Sequence, residues 1–354
     1  MQKVLVEAAF FVIDPGMDTG ELRKGWTLLL ALCALTPLGA TAEPVCGVAV
    51  EIAAPIDGPL HQPQRVEGYR PVLEICRRKG EADRLATRRM RVDDENLLLS
   101  VDPQSLETRI ENAACWTCSA TTDEQQGQTR FIQSIDAAAT KPGKKLGPEA
   151  TWLDNAGLTS GRGPGAFMTG DLCPSRKPLE RAFLMSLEQT GQSTPVALSI
   201  SGLWIRQHPQ DFAWLRREKA EGRLAITFVN HSFNHRYQPG LSDSANFLLM
   251  PGTDPEHEIL DVERLLIANG ETPSVFFRFP GLISDPGWME TLREKHLIPL
   301  GADAWLALSM KKPAPGAIVL VHPNGNEPLG LNDFKRFQDR KEMPQPFRPL
   351  TEAP

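Results

Sequence analysis

The chain has 354 residues, a formal net charge of −6, 41% hydrophobic and 23% charged residues. That length holds one large domain or two smaller ones, with enough apolar residues to build a core. The acidic balance argues against a nucleic-acid-binding protein, which would show a basic face. No uninterrupted run of about 18 apolar residues is available for a transmembrane helix.

Residues 1–42 read as an export signal. Arg23 and Lys24 form a positive n-region, Trp26 to Leu35 a short apolar core, and Ala40-Thr41-Ala42 a small-residue cleavage site. Glu7 and Asp14 are out of character for such a leader, so translation is expected to start at Met17. Leu32 stands before Cys33, where a lipoprotein signal wants a small residue, so no lipid anchor is expected. The expected location is secreted or periplasmic, with no integral membrane segment once the leader is cleaved. Cys33 leaves with the leader, and Cys46, Cys76, Cys115, Cys118 and Cys173 remain. An oxidising compartment allows disulfides among them, and an odd number leaves at least one thiol unpaired or paired elsewhere. Cys115-Trp-Thr-Cys118 lacks a thioredoxin-like context and a second zinc-ligand pair. A structural disulfide is expected, within the pair or to Cys46 or Cys76.

Residues 43–163 form an N-terminal extension of unassigned fold and function. Gly47 to Ala53 suggests a strand, and Gln104 to Ala114 a helix behind the N-cap Asp102 and Pro103. Pro142 to Pro148 reads as a linker, and Gly161 to Gly165 closes the region.

From residue 166 strands and helices alternate. Strands are expected at 166–170, 195–201, 224–229, 274–279, 298–302 and 317–321. Helices are expected at 179–189, 209–220, 255–269, 286–296 and 332–341. The alternation means a parallel sheet with helices outside it. Residues 164–330 are taken as the catalytic domain and 331–354 as a closing helix and tail. Leu224 to Val229 is the central strand, and it delivers His231 and His235. If the chain bends helically there, positions i and i+4 share a face, and two neutral imidazoles can share a divalent cation. Asp171, His231 with His235, Arg278, Asp303 and His322 all stand at C-terminal strand ends, where a parallel barrel forms its active site. The histidines at 61, 208, 257 and 296 have no partners at telling positions and read as surface or cap residues.

Met168-Thr-Gly-Asp-Leu-Cys-Pro174, His231-Ser-Phe-Asn-His235, Arg278-Phe-Pro-Gly281, Asp303-Ala-Trp305 and Leu320-Val-His-Pro323 resemble, in order, the five motifs of the NodB-homology polysaccharide deacetylases. The resemblance implies a distorted (β/α) barrel of about seven parallel strands. It also implies a divalent metal, usually zinc, and hydrolysis of acetyl groups on an acetylated carbohydrate. By the same resemblance His231 and His235 hold the metal, Asp171 is the general base and His322 the acid. Arg278 and Asp303 form a buried pair that orients the base. Trp305 and Phe279 would stack on sugar rings, as could Trp204 and Phe233.

One position departs from the family. Aligned on Thr169 and Pro174, Leu172 stands where the family carries a metal-binding aspartate. Neighbouring strand residues point apart, so Asp171 cannot readily be both base and ligand. Three outcomes stay open. The two histidines and waters hold the metal with Asp171 as base; Asp171 is itself the third ligand; or the site holds no metal and the protein is a non-catalytic sugar-binding barrel. An amidase acting on a non-sugar acyl amine fits the same residues, with the loops at 238–253 and 324–331 deciding the substrate.

Overall fold

The computed structural model describes residues 46, 49–50, 65–140, 151–188, 193–309 and 311–354. The expected leader and the linker at 142–148 lie outside the described residues, as does the expected strand at 47–53 apart from Ala49 and Val50. Pro44–Pro354 forms one compact unit. Among the described residues no helix is long and apolar enough to cross a membrane.

The first part of that unit is a five-stranded antiparallel sheet. It comprises β1 (Val66–Arg77), β2 (Arg84–Val92), β3 (Glu95–Val101), β4 (Thr108–Asn112) and β5 (Thr117–Ala120), in the order β4-β3-β2-β1-β5. The β2–β3 turn is made by Asp93 and Asp94, with φ of 46° and 69°. Two positive φ values give a hairpin turn whose twist matches the strands, and aspartate tolerates them better than most residues. The helix expected over 104–114 is instead a turn followed by β4. Asp102 caps a turn only, accepting the amides of Gln104 and Ser105 at 2.8 Å each. Pairing with the apolar run Leu97–Leu99 of β3 then overrides local helix preference. The C-x-x-C cysteines pair outward, Cys115 with Cys46 and Cys118 with Cys76, and Cys173 is the free thiol.

Helices α1 (Asp123–Gln126) and α2 (Arg130–Ala139) follow. Phe131, Ile132, Ile135 and Ala138 of α2 share a buried core cluster with Ile298 of the second sheet and with Leu300 just beyond it. The short β6 (Leu153–Asp154) leads into the alternating part. That part runs β7 (Phe167–Leu172), α3 (Arg181–Ser186), β8 (Thr194–Ile200), α4 (Gly202–Gln207), α5 (Pro209–Ala220), β9 (Leu224–Asn230) and α6 (Pro255–Ala268). It continues with β10 (Phe276–Phe277), β11 (Ile283–Ser284), α7 (Pro286–Glu294), β12 (Ile298–Pro299), β13 (Ala304–Trp305), β14 (Ile318–Val321) and α8 (Pro328–Asp339). β11 pairs with β6. The other seven strands form one sheet, β12-β10-β9-β8-β7-β14-β13, and every pairing in it is parallel. This is the distorted barrel expected, with β13 the strand that the sequence pattern does not announce.

The sheet does not close on itself. Leu158 bridges to Leu300, just past β12, and Ser160 bridges to Ala317, just before β14. The Leu158 amide donates to the Pro299 carbonyl at 2.9 Å, and the Ile318 amide to that of Thr159 at 3.3 Å. A short segment from before the barrel thus fills its seam. Outside the sheet, Leu172, Ile200 and Phe228 pack under Trp204, Phe212, Leu215 and Phe334 of the helices. Each such side chain, fully buried, contributes about 1.5–3 kcal/mol of transfer free energy.

Candidate active site and metal centre

Strand β7 sets the site by simple alternation. Met168 and Leu172 belong to the outer core, so the alternate residues Thr169, Asp171 and then Cys173 look inward. Asp171 is almost fully buried and Arg278, just past β10, fully so. One guanidinium nitrogen of Arg278, Nη1, donates to Oδ1 of Asp171 and to Oγ1 of Thr169, both at 2.8 Å. Nη2 donates to the Gly301 carbonyl at 2.9 Å. Burial alone would raise the Asp171 pKa, but Arg278 and then His231 and His322 outweigh it and bring it down to about 2. Its other oxygen, Oδ2, lies 3.6 Å from Nε2 of His231.

The two histidines converge through a tight loop, not the helical bend expected. Ser232 and His235 both have positive φ, 61° and 45°, and the imidazole centroids are 4.7 Å apart. Side chains over-determine this strained backbone, as such conformations require. Asn230 Oδ1 accepts the Ser232 amide, and Ser232 Oγ accepts the His235 amide. Glu258, in the first turn of α6 and 1% exposed, accepts the amides of Phe233 and Asn234 on Oε2 and the Asn234 side chain on Oε1. After Arg278 the chain turns at Gly281, whose φ is 61° and whose Cβ, were there one, would lie 2.5 Å from the ring of Phe247. Only glycine fits there.

The donor atoms of Cys173, His231 and His235 all lie within 4.8 Å of one another. Nδ1 of His231 is 2.8 Å from the Arg278 carbonyl. A carbonyl only accepts, so Nδ1 carries the proton and the lone pair of Nε2 faces the cluster. Nε2 of His235 is buried and has no hydrogen-bond partner. An orphaned imidazole nitrogen of this kind is costly unless something binds it, and a divalent cation fits. Burial opposes ionisation of Cys173, but His235 and His231 outweigh it and hold the thiol well below its usual range. Burial likewise opposes charge on His231, and Asp171 and Cys173 reverse that and raise its pKa.

His322, just past β14, completes the inner face. Oε2 of Glu327 lies 2.7 Å from its Nδ1, at ion-pair distance but without hydrogen-bond alignment. Glu327 also accepts the Trp305 indole N–H at 2.8 Å, and the Trp305 ring lies 5.6 Å from that of His322. Burial works against charge on His322, but Cys173 and Glu327, and then Asp171, raise its pKa well above the imidazole range.

Asp171, His231, His235, Arg278 and His322 therefore come together, and two other expected residues do not. Asp303 is exposed and does not pair with Arg278, whose buried partner is Asp171 itself. The strand turns before Asp303, so only its backbone reaches the sheet, through the amide bond to Ile318. Phe279 is 2% exposed and packs edge-on to Phe277 within the core, so it has no face to offer a sugar. Trp204 and Phe233 are buried as well, and only Trp305 of the four aromatics is partly exposed. Cys173, Glu258, Glu327 and Thr169 take part in the site without being expected there from the sequence. For Cys173 the signal existed: it stands two residues from Asp171.

The chain is similar to carbohydrate esterases of known structure. No family model matches it. A family 4 carbohydrate esterase from Bacillus anthracis aligns at 19% identity over 56% of this chain and 87% of its own, with a TM-score of 0.41. The Bacillus subtilis family 4 esterase PdaA aligns at 14% identity over 72% of this chain and 93% of its own, with a TM-score of 0.40. A family 4 pseudoenzyme from Bacillus anthracis aligns at 16% identity over 53% and 66%, with a TM-score of 0.34. None of these reaches a TM-score of 0.5, so the chemistry is read from the residues of the site.

Proposed function

We propose that this protein is an exported, metal-dependent hydrolase that removes acetyl groups from a glycan. The observation that carries the reading is the convergence of Asp171, the two imidazoles and His322 on one buried inner face. His231 and His235 would hold a divalent cation, zinc by ligand type. When bound, the cation polarises the acyl carbonyl and makes a nearby water more acidic. Asp171 stays ionised at any working pH because Arg278 holds it so, and its outward oxygen is free to accept that water's proton. Arg278 is fully buried and its two Nη atoms donate to Asp171, Thr169 and Gly301, so it positions the carboxylate from within the core. His322, whose pKa Cys173 and Glu327 raise, is placed to give its proton to the departing amine or alkoxide. Trp305, beside His322 and partly exposed, is the aromatic side chain placed to pack on a sugar. The two disulfides support an oxidising compartment.

The deciding experiment is acetate release from N-acetylated and O-acetylated oligosaccharides, with and without a chelator. Turnover is expected from native protein, restored by Zn²⁺ after chelation, and lost in Asp171→Asn and His322→Ala. Release that persists unchanged in Asp171→Asn would refute the assignment. Glycan binding with no release at any metal concentration would favour the non-catalytic barrel. That second reading draws on one observation, that Leu172 is sealed in the outer core where the family motif has a carboxylate. Release of acyl groups from non-sugar amines alone would favour the amidase.

A further inference from the structure

We propose that the sulfur of Cys173 is the third protein donor to the metal, making the site a two-histidine, one-cysteine centre. This rests on the metal-dependent reading of the site but not on the choice of substrate. The motif alignment leaves the carboxylate ligand missing, because Leu172 points into the outer core with Trp204 and Phe334. Asp171 is a poor replacement. Its Oδ1 is held by Arg278, and the three-donor cluster that the site does form contains Cys173 and not Asp171. Cys173 is one residue further along the extended chain, so alternation returns its side chain to the inner face. Its sulfur is 3.4 Å from Nε2 of His231.

The surrounding structure fixes that sulfur in place. Asn324, fully buried, donates its side-chain N–H to the Cys173 carbonyl at 2.9 Å. Ser201 Oγ donates to the Leu172 carbonyl at 3.0 Å. The residue after it, Pro174, has its φ fixed by its ring. The other described cysteines are paired with each other, so none competes for Cys173. His231 is oriented by its Nδ1–H bond to the Arg278 carbonyl, the usual outer support of a ligating histidine. His235 has a buried, unpartnered Nε2 and contributes a ring nitrogen to the same donor cluster. Three protein donors leave a fourth position for water or substrate, as catalytic zinc sites do. A thiolate in the set shifts preference toward Zn²⁺ and Co²⁺ and away from Mg²⁺, Mn²⁺ and Ca²⁺.

Cobalt substitution tests this without recourse to activity. The full chain is stripped with a chelator and titrated with Co²⁺, and its absorption is recorded. Visible cobalt bands together with a near-ultraviolet thiolate-to-cobalt charge-transfer band are expected. Cys173→Ser should abolish the charge-transfer band and weaken cobalt binding by at least about 100-fold, the upper end of what outer-shell changes cost. Cys173→Asp, a carboxylate on the same face, should keep the visible bands and lose only the charge-transfer band. Visible bands without charge transfer in native protein would overturn the cysteine ligand while leaving the metal-dependent hydrolase standing. No cobalt binding at all would overturn both. A covalent acyl-thioester on Cys173 after mixing with substrate, formed equally with and without metal, would make the thiol a nucleophile and overturn the proposal.

Discussion

Two of the buried arginine–carboxylate pairs among the described residues, Arg88–Glu263 and Arg278–Asp171, serve opposite ends. Arg88 of β2 meets Glu263 of α6, joining the antiparallel sheet to the barrel, with both side chains 1% exposed. It is a closed fork: Nε to Oε2 at 2.8 Å, Nη2 to Oε1 at 3.1 Å, and Nη1 to the carbonyls of Thr87 and Lys295. Tyr69 adds its hydroxyl to Oε2 at 2.7 Å. Arg278 and Asp171 form an open one. Nη1 is shared with Thr169, Nε has no partner, and Oδ2 of Asp171 faces the imidazole of His231. Buried charge is tolerable only when satisfied. A pair that closes on itself holds structure, and one that leaves an oxygen outward holds that oxygen ready for chemistry.

Arg278→Met should break the open pair with the largest effect. Acetate release is expected to fall by about 10²–10⁴-fold, the usual worth of general acid–base catalysis, and the protein to lose about 3–5 kcal/mol. Kinetics and thermal melting on the same sample check both. Leu172→Asp makes a buried carboxylate with no arginine at all. The expected cost is about 4–7 kcal/mol, matching a pKa rise of 3–5 units on burial. Metal content by mass spectrometry should not increase, because the new group faces the outer core.

Arg88→Met should cost about 3–5 kcal/mol, as removal of one partner from a buried pair does, yet leave kcat of the folded protein unchanged. The double change Arg88→Met with Glu263→Leu should recover most of that stability. The corresponding Arg278→Met with Asp171→Leu should recover stability without activity, and recovered activity there would erase the distinction between the pairs. The smallest expected effect is in Glu327→Gln. His322 must be protonated to act as acid, so activity falls as pH rises through its pKa. Glu327 helps hold that pKa above the imidazole range. Losing its charge should move the alkaline limb of the pH–rate profile to lower pH. An unmoved limb would mean that Glu327 does not act on His322.

Much of the barrel was legible because its strands are largely buried and helices such as Pro255–Ala268, Pro286–Glu294 and Pro328–Asp339 carry one apolar face. The helix at Pro209–Ala220 starts and ends where the pattern puts it. β13 was not legible, because two residues carry no periodicity. The helix expected behind Asp102 failed because a capping aspartate signals a turn as readily as a helix, and pairing partners distant in sequence decide between them. In the site, the histidine pair could be read from spacing, but the loop that aims it depends on Glu258, from a helix begun after the next loop. Asp303 and Phe279 were misplaced because a motif gives order along the chain and not which way a side chain turns.

The seam at Leu158–Ser160 bears on how this protein can be cut. A fragment trimmed to begin at Gly165 would keep every motif and yet lose the stave that bridges Leu300 and Ala317. Its bared edges would carry unpaired amides and carbonyls, an invitation to stack with other copies. A shortened chain should therefore keep Leu153, where β6 still reaches β11, and with it the antiparallel sheet whose Arg88 pairs with Glu263.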